Sequence, residues 1–164
     1  MLNDKSLGSK SVFKDDSPRA WKVDFEPGTI KAVAKNGDKV VATDALHTAG
    51  KAAKILLTTD STGLGTSWDD VAFVQASVVD DKGVVVPNAS DLVTFKIAGS
   101  GVIAAVDNAD NASHESFRGN ERHAYQGICF AMVKATGRDQ PIQIEASAQG
   151  LAGASLSIPI ATTK

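Results

Sequence analysis

Ile142–Ala148 reads IQIEASA, and Ala154–Ile160, just beyond it, reads ASLSIPI. Ile142, Ile144, Ala146 and Ala148 alternate with Gln143, Glu145 and Ser147. Ala154, Leu156, Ile158 and Ile160 alternate with Ser155, Ser157 and Pro159. Successive side chains of an extended chain point to opposite faces, so strict alternation puts one face in a core and the other in water. Working outward, DLVTFKI sets Val93, Phe95 and Ile97 against Leu92, Thr94 and Lys96. WKVDF sets Trp21, Val23 and Phe25 against Lys22 and Asp24. GICFAMVKA (Gly127–Ala135) is apolar on both faces and reads as a central strand. No helical stripe of comparable length competes with these patterns, and the reading is an all-β chain.

The turn residues agree. Asn36-Gly37 separates TIKAVAK from DKVVATDAL and predicts a type I′ hairpin, whose two central residues need positive φ. Asp80-Asp81-Lys82-Gly83, Pro87-Asn88, Ala98–Gly101, Thr136–Asp139 and Gln149-Gly150 mark further turns. Pro159 has no N–H to give to a ladder, so the last strand is expected at a sheet edge. From residue 51 onward the pattern predicts strands near 53–59, 71–79, 84–86, 91–97, 102–106, 127–135 and 142–148, with an eighth at 153–160. That set makes one complete immunoglobulin-like β-sandwich over 51–164. Before it, strands near 9–13, 19–25, 29–35 and 38–48 make a partial immunoglobulin-like module over 1–50, expected to start partway through a fold.

Composition narrows the function classes. The formal charge is −2 with both signs interspersed, which gives no electrostatic footprint for nucleic acid. No apolar run nears the roughly 20 residues that span a bilayer, so membrane insertion is not expected. Cys129 is the single cysteine, which rules out an intrachain disulfide and a multi-cysteine metal site. MLNDKSLGSK lacks the apolar core of a secretory signal.

Polar chemistry concentrates in VDNADNASHESFRGNERHAYQG, Val106–Gly127. Asp107, Asp110 and Asn111 are candidate ligands for a hard cation such as calcium, which takes several oxygens, although the EF-hand glycine and distal glutamate are missing. A serine-triad reading would draw on Ser113 or Ser116, His123 or His114, and Asp107 or Asp110, but no nucleophile elbow or oxyanion glycine pattern accompanies them. The plainer reading is a loop whose Asn and Asp side chains cap turns, anchored by Phe117 and Tyr125 pointing inward. Trp68, in the polar loop DSTGLGTSWDD, is the candidate for stacking on a sugar; Trp21 is expected in the core with Val23 and Phe25. His47 is expected to pack or bond a backbone carbonyl, and Cys129 to be buried as a small hydrophobe. No cofactor is implied.

LNDKSLG (Leu2–Gly8), WKVDFEPGTIKAVA (Trp21–Ala34), VATDALHTAG (Val41–Gly50), PNASDLVTFKIAGSGVIAAVDN (Pro87–Asn108), SHESF (Ser113–Phe117) and RHAYQG (Arg122–Gly127) occur in this order. Together they resemble the C-terminal immunoglobulin-like accessory region of bacterial β-galactosidases of glycoside hydrolase family 2. Asp4 stands where that family has a hairpin glycine, and Ala109 where it tends to have Gly. The resemblance implies a non-catalytic tail that braces or spaces an upstream catalytic barrel in a periplasmic or extracellular parent. The family's two catalytic glutamates lie in that barrel, so none carries over to Glu26, Glu115, Glu121 or Glu145. Rival readings are a polysaccharide-binding module and a cell-surface adhesion repeat. An incomplete first module leaves a strand edge open and predicts a homo-oligomer through it, or disorder near 1–20.

Overall fold

The computed structural model describes residues 1–12 and 17–161. Among these the elements are all strands: β1 (Thr29–Asn36), β2 (Lys39–His47), β3 (Lys54–Thr59), β4 (Ala72–Val79), β5 (Leu92–Ala98), β6 (Gly101–Asp107), β7 (Glu121–His123), β8 (Ile128–Ala135), β9 (Ile142–Ser147) and β10 (Ala154–Ile158). The chain divides into two compact units, 1–48 and 49–164.

In the first unit β1 and β2 form an antiparallel hairpin. A tight turn at Leu2–Lys5 lies along β1, with Met1 and Asn3 bonded to Lys31 and Thr29. Asn3 and Asp4 hold this turn with φ of 46° and 63°, so Asp4 takes the left-handed conformation at the position where the resembling family has glycine. Two readings change here. The Asn36-Gly37 turn is not type I′, because only Gly37 (φ 60°) has a positive φ and the turn is centred on Gly37 and Asp38. The segment 19–25 forms no strand: Trp21, Val23 and Phe25 are 42%, 38% and 83% exposed. Their alternation is real, but no described strand pairs with them, and an unpaired ladder leaves backbone groups to water. The expected strand at 9–13 likewise does not form over its described residues, and Phe13 lies outside them.

The second unit is an immunoglobulin-like sandwich of two four-stranded antiparallel sheets, in the orders β10-β9-β5-β7 and β3-β4-β8-β6. Alternation builds its core. Val93 and Phe95, Ile142, Ile144 and Ala146, and Ile158 come from one sheet; Ile55, Leu57, Val74, Ala76, Val106, Cys129, Ala131 and Val133 come from the other. β8 is central, as its two apolar faces require, and β10 is an edge, as Pro159 requires. Burial pushes the Cys129 thiol up to about 12. Gly99 (φ 81°) turns the chain from β5 in one sheet into β6 in the other. The strand expected at 84–86 is reduced to one bridge between Val79 and Val85, since Pro87 ends the supply of donors. Before it, Asp80 accepts from the N–H groups of Gly50, Lys82 and Val84, which together hold its carboxyl below the usual range.

Candidate functional site: the loop joining β6 to β7

The β6–β7 loop is built from side chains folding back on their own backbone. Asp107 Oδ1 accepts from Asn108 N (2.7 Å) and Ala109 N (3.2 Å), Asn108 Oδ1 from Asp110 N (3.1 Å), and Asp110 Oδ1 from Ala112 N (3.0 Å). Ser113 and Ser116 do the same for Glu115 and Arg118. Short polar side chains favour such turns. They also explain Ala109, which sits at φ 60° where the resembling family prefers glycine. Val106 N donates to Phe117 O, while Phe95 and Asn120 exchange bonds across β5, so both ends of the loop are tied to the sandwich.

At the centre lies Arg122, fully buried on β7. Its Nη1 donates to Glu115 O (3.1 Å) and its Nη2 to Asn108 Oδ1 (2.9 Å). Asp107 Oδ1 stands 3.5 Å from Nη2 and Glu115 Oε2 3.6 Å from Nε. The Phe117 ring lies 5.2 Å from the guanidinium carbon, an attractive placement over a ring face. Asn108 Nδ2 completes the set by donating to His123 O. Nε alone has no hydrogen bond and is compensated only by the nearby Glu115 charge. A buried guanidinium is tolerable where carboxylates and carbonyls surround it in this way.

Glu115 also meets His123, with Nδ1 to Oε1 at 2.7 Å. That hydrogen bond, then the His123 backbone N–H and the His123 and Arg122 charges, hold the Glu115 carboxyl below its usual range. A glycosidase acid needs the opposite, a carboxyl kept protonated near neutral pH. The serine-triad alternative has no support in the hydrogen bonds: Ser113 Oγ donates to Glu115 and Ser116 Oγ to the Arg118 carbonyl, while His123 pairs with a carboxylate. Asp107 and Asp110 spend oxygens on the loop's own N–H groups, and Asn111, next after Asp110, is exposed. Among the described residues no group of three or more His, Cys, Asp or Glu side chains could hold a metal ion.

Several placements differ from expectation. Phe117 and Tyr125 are 57% and 43% exposed. The inward anchor is Arg122, with Phe117 covering it from outside. β7 was not anticipated, because a three-residue Glu-Arg-His segment carries no apolar alternation. His47 Nδ1 bonds the Thr29 hydroxyl (2.9 Å) in place of a backbone carbonyl. Trp68 is the most exposed aromatic of the second unit at 83%, its carbonyl accepting from Lys134 Nζ. The shallow depression on β5, β9 and β10, lined by Lys96, Glu145, Ser147 and Ser155, contains no aromatic ring.

Comparison with known proteins places the sandwich. Residues 55–157 match the model of glycoside hydrolase family 2 C-terminal domain 5. The chain belongs to this family. Residues 1–42 match a domain of unknown function, DUF4982. The family 2 chain is 40% identical over 157 residues to the β-galactosidase BoGH2A of Bacteroides ovatus, a match covering 96% of this chain and 18% of that protein. It superposes on a glycosyl hydrolase family 2 member from Bacteroides cellulosilyticus with a TM-score of 0.88 and 32% identity, over 99% of this chain and 21% of that one. A β-glycosidase from Bacteroides vulgatus has the same fold, with a TM-score of 0.89 at 22% identity, over 98% and 20%. The family 2 chain therefore spans about a fifth of the length of these relatives.

Proposed function

We propose that this chain is a non-catalytic accessory region of a family 2 glycoside hydrolase with β-galactosidase-like activity, where it braces or spaces the catalytic barrel. The observation that carries the reading is the state of the acidic cluster. Its central glutamate is held ionised by His123 and Arg122, and its aspartates cap turns, so this loop's acids are committed to architecture. The resemblance to enzymes about five times longer supplies the parent. Apolar side chains left at the surface of the first unit, including Phe25, Val40, Val41 and Leu46, suit a region that packs on further polypeptide.

The test is deletion of this region from the parent enzyme. The expected outcome is a lower unfolding temperature with kcat on a small chromogenic galactoside unchanged per folded molecule. Lost kcat at unchanged stability would show that the region reaches the chemistry. A second reading, polysaccharide binding, rests on the exposure of Trp68, since an indole face suits pyranose C–H groups. Affinity electrophoresis on galactan separates the two: retardation that Trp68→Ala removes favours binding, and unchanged mobility favours bracing alone.

A further inference from the structure

We propose that Asn36 is a site of spontaneous covalent modification, where the backbone nitrogen of Gly37 attacks the asparagine and converts it to aspartyl and isoaspartyl forms at the tip of the β1–β2 hairpin. Asn36 closes β1 opposite Lys39, with Gly37 and Asp38 forming the turn. Asn36 and Gly37 are both exposed, and a Cβ built on Gly37 would meet nothing within 4 Å. Among the described residues no hydrogen bond engages the Asn36 side-chain amide or the Gly37 N–H.

Of the other five asparagines, three are held and two are followed by an engaged backbone nitrogen. Asn3 bonds Glu26, Pro27 and Thr29; Asn108 bonds Arg122 and His123; Asn120 bonds the Phe95 carbonyl. Asn88 and Asn111 have exposed side chains, but the nitrogen that would attack is occupied: Ala89 N donates to Val86 O and Ala112 N to Asp110 Oδ1. All five also precede a residue with a side chain, which crowds ring closure, whereas Asn36 precedes glycine.

The step balances with water alone. Gly37 N gives up its proton and bonds to Asn36 Cγ; the Cγ–Nδ2 bond breaks and ammonia leaves, giving a cyclic imide. Water then opens the imide at either carbonyl. Opening at the backbone carbonyl yields isoaspartate, with the chain rerouted through Cβ and Cγ; opening at Cγ yields aspartate. Either product adds a negative charge beside Asp38. Isoaspartate also adds a backbone atom at residue 36, which breaks the Asn36–Lys39 closure. The tip of the first unit thus changes charge and shape with time.

The experiment is incubation of the folded chain at mildly alkaline pH, followed by peptide mapping with fragmentation that distinguishes aspartate from isoaspartate. The Asn36 peptide is expected to gain the mass difference between OH and NH2 ahead of every other asparagine, as two products with isoaspartate in excess. Asn36→Gln is expected to abolish the shift and Asn88→Gln to leave it intact. Conversion of Asn88 or Asn111 before Asn36, or an aspartate product with no isoaspartate, would overturn the assignment.

Discussion

At the scale of single residues, Arg122 decides what the acidic loop is. It gathers the Glu115 carbonyl, the Asn108 amide and two carboxylates around a fully buried guanidinium. Arg122→Ala removes these contacts at once and is expected to cost about 3 kcal/mol in a urea unfolding titration. The cost sits at the low end for a broken buried pair, because Asp107 and Glu115 are 34% and 33% exposed and regain water. Glu115 adds a pH dependence. Its folded-state pKa is depressed below 4.5, so its contribution is complete above that value and is lost as pH falls through the folded one. Glu115→Gln is therefore expected to flatten the acid limb of the stability profile, lowering stability above neutrality without changing its slope there. The turn-capping role of Asp107, Asn108 and Asp110 was legible in the sequence, because short polar side chains act within two residues of themselves. Arg122 was not, because periodicity assigns a charge to the solvent face unless its partners are known.

At the scale of elements, alternation worked where two different environments existed to enforce it. β5, β9 and β10 each bury one face against the opposite sheet and were readable residue by residue. Trp21, Val23 and Phe25 show the same pattern without forming a strand, since alternation states what a strand would bury and not whether a neighbour exists to pair with it. Turns were readable by position more than by type: two successive positive φ values occur at Asn3-Asp4 and Gln126-Gly127, and not at Asn36-Gly37. The turn that joins the two sheets offers a sharper test. Gly99 has φ 81°, and a Cβ there would overlap the Pro141 carbonyl oxygen. Gly99→Ala is expected to cost about 2–4 kcal/mol from the left-handed conformation and the overlap together, read as a lower denaturation midpoint. Ser155→Ala, on an exposed position of β10, is the control expected to move it little.

At the scale of the whole molecule, fold and family were both open to reading because neither depends on any one residue. Ordered weak motifs along nearly the whole chain pointed to family 2, and the match over residues 55–157 places the sandwich there. The proposed accessory role rests on what the architecture does with its acids: hydrogen bonds and ion pairs engage Asp107, Asp110 and Glu115 within the β6–β7 loop. The most direct measurement is hydrolysis of a chromogenic β-galactoside by the purified chain, alongside its Glu115→Gln variant. The account predicts a rate equal to the heat-denatured blank for both proteins; turnover by the unsubstituted chain that disappears in the variant would contradict it.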